Sequence, residues 1–265
     1  FIFTPMTKHA IGIFDSGIGG LSIWKEIIQV LPYQETIYLA DSKNAPYGQK
    51  SKKEIIALCK KNTEYLLEKG CTVIVVACNT ATTNAIQVLR DSYDIPFIGI
   101  EPAIKPAAFK TETNTIGILA TKGTLNSHLF AETSKKYMVG IQVIEQIGEG
   151  LVPLIESGEI TSDKTTALLE KYIRPMILKN IDCLVLGCTH YPFLIPQIKN
   201  ITGESVQIID SGLAVAKQTK AILTQQGLLD QDALVQHLII SNGTLHPLKE
   251  VVHGIANTQI IQSDF

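Results

Sequence analysis

The sequence predicts an α/β fold made of two similar units, each a parallel sheet with helices on both faces. Three observations predict it. Apolar strand-like runs alternate with amphipathic helical runs from residue 10 onward, and strands apolar along their whole length belong to parallel sheets covered on both sides. "AIGIFDSGIG" (10–19) is matched by "TIGILATKGT" (115–124), with Ile11 and Ile116 offset by 105 residues. "VIVVACNTATTN" (73–84) is matched by "CLVLGCTHYP" (183–192), with Cys78 and Cys188 offset by 110. Two matches in the same order at nearly the same offset indicate a duplicated unit that changes near residue 100.

Element by element, "AIGIF" (10–14) reads as a buried strand. "GLSIWKEIIQVL" (20–31) reads as a helix with Leu21, Trp24, Ile27, Ile28 and Leu31 on one face, ended by Pro32. "TIYLAD" (36–41) is a second strand, followed by the Pro-Gly loop "NAPYGQK" (44–50). A helix over 52–70 closes at Gly70, "TVIVVA" (72–77) is a third strand, and "FIGIE" (97–101) follows Pro96. From Leu213 a helix and then "HLIISNG" are too short for a third unit and are expected to pack onto an earlier one.

The 265 residues are 45% apolar and 18% charged, an ordinary globular mixture. The 23 basic against 25 acidic side chains leave a net charge of −2, and no basic run suggests a nucleic-acid partner. No apolar run approaches the roughly 18–20 residues that span a bilayer, and "FIFTPMTKHA" does not read as a secretory signal. Met6 is a candidate start. Five cysteines, an odd number without disulfide density, fit a reducing cytoplasm.

The chemistry is expected at the strand ends, where open parallel sheets bind ligands. Cys78 stands at such an end with a helix beginning at Asn79 or Thr80 as N-cap, a setting that favours a thiolate. Cys188 stands at the matching end of the second unit, beside Thr189 and His190, and a histidine there can lend charge or exchange a proton. If the units face each other, two thiols meet one cleft from opposite sides, a geometry suited to removing a proton from one face of a carbon and returning one to the other. Zinc is an alternative, but Cys183 and Cys188 straddle a strand and no CxxC pair exists. Cys59, Cys71 and Cys183 read as small buried hydrophobes. "FDSGIGG" (14–20), with Asp41 after the next strand, resembles a dinucleotide fingerprint. Ser22 at the third glycine position and the carboxylate of Asp15 argue against it, and a turn whose amides hold a smaller anion fits better. Tyr47 and the backbone beside it are a candidate substrate clamp. Glu156 alone reads as a solvated surface charge.

Taken together, "IGIFDSGIGGLS", "ADSKNAPYG", "VIVVACNTATTNA", "GILATKGT", "GLVPLIESG" and "LVLGCTHYPFL" resemble the glutamate racemases of the cofactor-independent Asp/Glu racemase superfamily, in order, from about residue 10 to 212. The resemblance implies two pseudo-symmetric doubly wound domains, residues 8–99 plus 212–265 and residues 100–211, with the active site in the cleft between them. It implies Cys78 and Cys188 as the catalytic thiols, Asp15 assisting the first and His190 the second, with Glu156 supporting His190. Asp15, Ser16, Tyr47, Gly48, Asn79, Thr80, Thr121, Thr189 and His190 would hold the substrate. Neither pyridoxal phosphate nor a metal is implied. A cytoplasmic homodimer supplying D-glutamate for bacterial peptidoglycan is. Phe130, where a Tyr is common, and "IGEG" (147–150) depart from the pattern away from these positions. Three rival functions remain: an aspartate racemase, a nucleotide-binding oxidoreductase, and an amino-acid- or protein-binding module.

Overall fold

Residues 9–231 and 235–265 are described in a computed structural model; Met6 and residue 8, the expected start of the first domain, lie outside them. In chain order, β1 (Ile11–Asp15), α1 (Leu21–Val30), β2 (Thr36–Ala40), α2 (Lys52–Glu68), β3 (Val73–Val76), α3 (Asn79–Ser92) and β4 (Phe97–Gly99) come first. Next are α4 (Ile104–Lys110), β5 (Thr115–Ala120), α5 (Lys122–Leu125), α6 (His128–Tyr137), β6 (Gln142–Ile147), α7 (Leu151–Glu156), α8 (Asp163–Ile177), β7 (Cys183–Gly187), α9 (Ile195–Thr202) and β8 (Gln207–Ile209). The chain closes with α10 (Gly212–Gln226), β9 (His237–Ser241), α11 (His246–Val251) and β10 (Thr258–Gln262).

These strands make two sheets, ordered β10-β9-β2-β1-β3-β4 and β6-β5-β7-β8, and every pairing is parallel. Within the first, β2-β1-β3-β4 has the same order as the whole of the second, so the two are pseudo-symmetric. The strands matched by sequence, β1 with β5 and β3 with β7, are the central pair of each. In this order the crossovers leave in opposite directions from the central pair, so a crevice opens beyond its carboxyl ends.

The strands form because they are continuous aliphatic runs, and successive side chains feed two cores. Ile11, Ile13, Val73 and Val75 join α1 in one, while Phe14, Ile37, Leu39, Ile74 and Val76 join α2 and α3 in the other. Each such side chain contributes about 1.5–3 kcal/mol on full burial. The first core continues through Leu151, Ile155, Leu184 and Leu186 of the second sheet's side, so apolar packing joins the two units.

Helix boundaries follow local chemistry. Ser51 and Glu54 form a capping box that starts α2, and Gly70, at φ +84°, ends it. Ile23, off the face expected for α1, is also buried, because α10 returns from the C-terminal part of the chain and shares its core through Val215 and Ala216. No helix among the described residues is long and apolar enough to cross a membrane.

Candidate active site

Four strand ends converge. Asp15 and Ser16 follow β1, Cys78 to Thr80 follow β3, Thr121 follows β5, and Cys188 to His190 follow β7. Tyr47 and Gly48 reach in from the loop after β2, past the cis Ala45–Pro46 peptide. With Pro46 and Val152 these residues, Asp15 excepted, line a narrow cleft of about 250 Å3. The cleft is closed down around its two sulfurs. Asp15 is wholly buried behind this lining, and Cys78 and Cys188 are 5% and 6% exposed.

Around Cys78, the sequence suggests Asn79 or Thr80 as the cap of α3. The cap is instead Cys78 itself, whose Sγ accepts from the Ala81 amide at 3.5 Å. Its position one residue before the helix puts the sulfur, rather than a hydroxyl, over the free amides. The thiol donates weakly to Ser16 Oγ at 3.8 Å and is within reach of Asp15. Against the expectation that this setting favours a thiolate, burial, and then the negative Asp15, push the Cys78 thiol well up. Burial also raises Asp15, against the charge of His190 and several hydrogen bonds. One of these is from the Gly20 amide at 2.6 Å, and the Thr189 hydroxyl adds another bond to the carboxylate at 3.3 Å.

The second thiol has a different neighbour. Cys188 Sγ lies 3.7 Å from His190 Nδ1, and His190 Nε2 lies 2.5 Å from Glu156 Oε1. Burial opposes charge on His190, but Cys188 and Glu156 outweigh it and hold the imidazole well above its ordinary value. Glu156 is thus no solvated surface charge. It accepts from the Ile18 amide at 2.8 Å and from the Ser42 hydroxyl at 3.2 Å, both from the opposite sheet's side.

This overturns the expectation that the 17–20 turn cradles an external anion. Two of its amides are taken by the protein's own carboxylates, Asp15 and Glu156. The glycines answer to close approach: a Cβ on Gly17 would sit 1.9 Å from Glu156 Oε1, and one on Gly19 2.2 Å from His190 Nδ1. No space remains there for a pyrophosphate.

The cleft walls carry hydroxyls and an amide. Thr80, Thr121 and Thr124 form a hydroxyl cluster with separations of 2.8–3.4 Å, bridging α3 to the α5 turn. Asn79 is 2% exposed, and neither end of its side-chain amide has a partner. A buried amide left unpaired costs about 1–3 kcal/mol, which a polar ligand in the cleft would offset. Sequence reading missed Ser42 and Thr124, although they stand inside "ADSKNAPYG" and "TKGT".

Cys59, Cys71 and Cys183 are buried in the apolar cores, and burial pushes Cys71 up to about 12 and Cys183 up to about 11. Among the described residues no three His, Cys, Asp or Glu side chains are grouped to hold a metal ion. Phe130 is buried in the core of the second sheet, outside the cleft.

Comparisons with known proteins agree with this architecture. The sequence profile of the family described as Asp/Glu/Hydantoin racemase matches residues 19–219. The chain is 44% identical over 225 residues to the glutamate racemase of Herpetosiphon aurantiacus, covering 85% of this chain and 89% of that one. It superposes on the glutamate racemase of Escherichia coli in complex with L-glutamate and the activator UDP-MurNAc-ala, with TM-score 0.85, 29% identity and coverage of 97% and 98%. An isoform from Bacillus anthracis gives the same TM-score, identity and coverage. The chain therefore belongs to the Asp/Glu/hydantoin racemase family, among the enzymes related to glutamate racemases.

Proposed function

We propose that the protein interconverts L- and D-glutamate without a cofactor, by two thiols acting from opposite faces of the α-carbon. The observation that carries this is the pair of cysteines at equivalent strand ends of one cleft, each with its own charged helper. In this reading residues 8–99 plus 212–265 carry Asp15 and Cys78, residues 100–211 carry Cys188 and His190, and the substrate lies between. Sheet membership supports the division.

The Cys188 thiolate takes the α-proton of L-glutamate while the Cys78 thiol gives its proton to the other face. D-glutamate runs the sequence backwards. Each turnover moves one proton onto one sulfur and one off the other, so the thiols must exchange with solvent or be reset by the reverse reaction. His190 offers charge and a proton path at Cys188, Asp15 does so at Cys78, and Glu156 keeps the imidazole in place. A thiol, with an ordinary pKa of about 8.5, is a far stronger acid than an amino-acid α-carbon. The carbanion therefore has to be stabilised where it forms. Ser16, Asn79, Thr80, Thr121 and Thr189, with the Gly48 backbone, supply donors for the substrate's carboxylates in a cleft that excludes water. The relatives' activity and the L-glutamate of the Escherichia coli complex support glutamate as substrate. Family likeness supports reading the role as that of a cytoplasmic homodimer feeding D-glutamate to peptidoglycan synthesis.

The test is racemisation of L-glutamate in D2O with no added cofactor. Early D-glutamate should carry deuterium at the α-carbon while recovered L-glutamate stays mostly protium. Protium in early product would mean one base serving both faces. Aspartate, one methylene shorter, should turn over more slowly by about 10–200-fold.

A further inference from the structure

We propose that Asn242, far from the motifs in sequence and outside the cleft, is a positioning residue for racemisation: it braces the turn that presents Tyr47 and Gly48 to the substrate. The proposal rests on the reading that these two residues border the substrate. Asn242 follows β9, which the parallel pairing with β2 carries alongside the strand that ends at Ala40. Its side chain bridges the turn after β2. The Lys43 amide donates to Asn242 Oδ1 at 3.0 Å, and Asn242 Nδ2 donates to Asp41 Oδ1 at 2.5 Å.

Asp41 is 1% exposed and is held by three neutral donors: Asn242, Asn44 Nδ2 at 2.8 Å, and the Tyr47 hydroxyl at 2.5 Å. Lys43 sends its ammonium elsewhere, to Asp264. A buried carboxylate with no cation on it among the described residues depends on each donor.

The Tyr47 hydroxyl is thereby committed. It donates to Asp41 and accepts from Asn62 Nδ2 at 3.2 Å, so the substrate is met at this point by the loop's backbone and ring edge rather than by the phenol. Gly48, the next residue, is confined between that anchored ring and the opposite wall, where a Cβ would meet Thr121 at 3.0 Å. A second contact pins the same turn from the same side: a Cβ on Gly243 would lie 2.6 Å from Ser42 Cβ. Ser42 in turn bonds Glu156. The brace therefore serves substrate placement directly and the His190 side through Ser42.

The experiment is steady-state racemisation of both enantiomers by Asn242→Ala and Asn242→Ser, with hydrogen exchange of residues 44–50. Asn242→Ala should raise KM for L- and D-glutamate about tenfold, the effect of losing one such bond, and leave kcat within about threefold. Asn242→Ser, which keeps a short donor, should recover part of the KM. Exchange at 44–50 should quicken in Asn242→Ala while α3 is unchanged. A wild-type protein that fails to racemise glutamate removes the reading and this proposal together. An active wild type with unchanged KM in Asn242→Ala, or with Asn242→Ser no better than Asn242→Ala, removes the proposal alone. Failure of both variants to fold also overturns it, because Asn242 would then serve the fold and not the clamp.

Discussion

Gly19 shows how much catalytic meaning a residue without a side chain can hold. His190 packs where its Cβ would be, so Gly19→Ala should displace the imidazole by an ångström or more. Misplacement on that scale costs about 100-fold in rate, and we expect kcat to fall by that order while the protein remains folded by circular dichroism. The thiols divide more sharply. Cys78→Ala and Cys188→Ala should each abolish turnover in both directions, since in the proposed mechanism each sulfur is base one way and acid the other. Cys59→Ala, Cys71→Ala and Cys183→Ala should keep it within about twofold and cost only about 1 kcal/mol each in a melt. Near-normal turnover in Cys188→Ala would end the two-thiol mechanism. At this scale the sulfurs were legible because strand, cysteine and small polar run repeat. What the glycines of 17–20 were for was not. A Gly-x-Gly turn reads as an anion cradle until one knows that Glu156, 138 residues further on, fills it.

Among the elements, β9 carries a group whose titration should be visible. His237 is 7% exposed, edge-on to Trp24, and its Nδ1 lies 2.9 Å from Thr36 Oγ1. The Trp24 indole can only donate, which it does to that same oxygen at 2.8 Å, so the Thr36 proton is free to point at an unprotonated His237. Burial lowers the imidazole to about 4 from an ordinary 6.5. Between those values the unfolded chain binds a proton that the folded protein refuses, so stability is lost as pH falls through that window. The loss is about 3 kcal/mol at most. Thermal melts from pH 6.5 to 4 should therefore slope less in His237→Gln than in the wild type. Equal slopes would place the acid sensitivity elsewhere. The central strands were readable as continuous apolar runs, but β6 and β10 were not. Each is a sheet edge, with "QVIEQI" and "TQIIQ" mixing polar residues among the apolar ones. The partner of β9 was equally hidden, since β2 lies 201 residues earlier.

For the whole molecule, the contacts across the cleft matter most. Glu156 on Ile18 and Ser42, the Ser22 hydroxyl on Thr189 O at 2.9 Å, and Thr80 on Thr121 all tie one sheet's side to the other. With both sulfurs buried beneath these contacts, entry of glutamate calls for some of them to part. An adjoining hollow of about 730 Å3, sharing Pro46, Gly48, Thr121 and Val152 with the cleft, lies on the side from which it would come. Alkylation of the two thiols by iodoacetamide should reach a rate that no longer rises with reagent concentration, set by opening, and D-glutamate should slow it. A rate linear in reagent to high concentration would mean the cleft stands open. The order of the first sheet has one more consequence, for the chain as it leaves the ribosome. The second sheet is contiguous, from β5 to β8, and all its strands are available once residue 209 has emerged. The first sheet must wait with the edge of β2 bare until β9 and β10 are made. The sheet whose first strands are made earlier is thus completed later, and until β9 emerges the edge of β2 is an unpaired strand that a chaperone, or a neighbouring nascent chain, can bind.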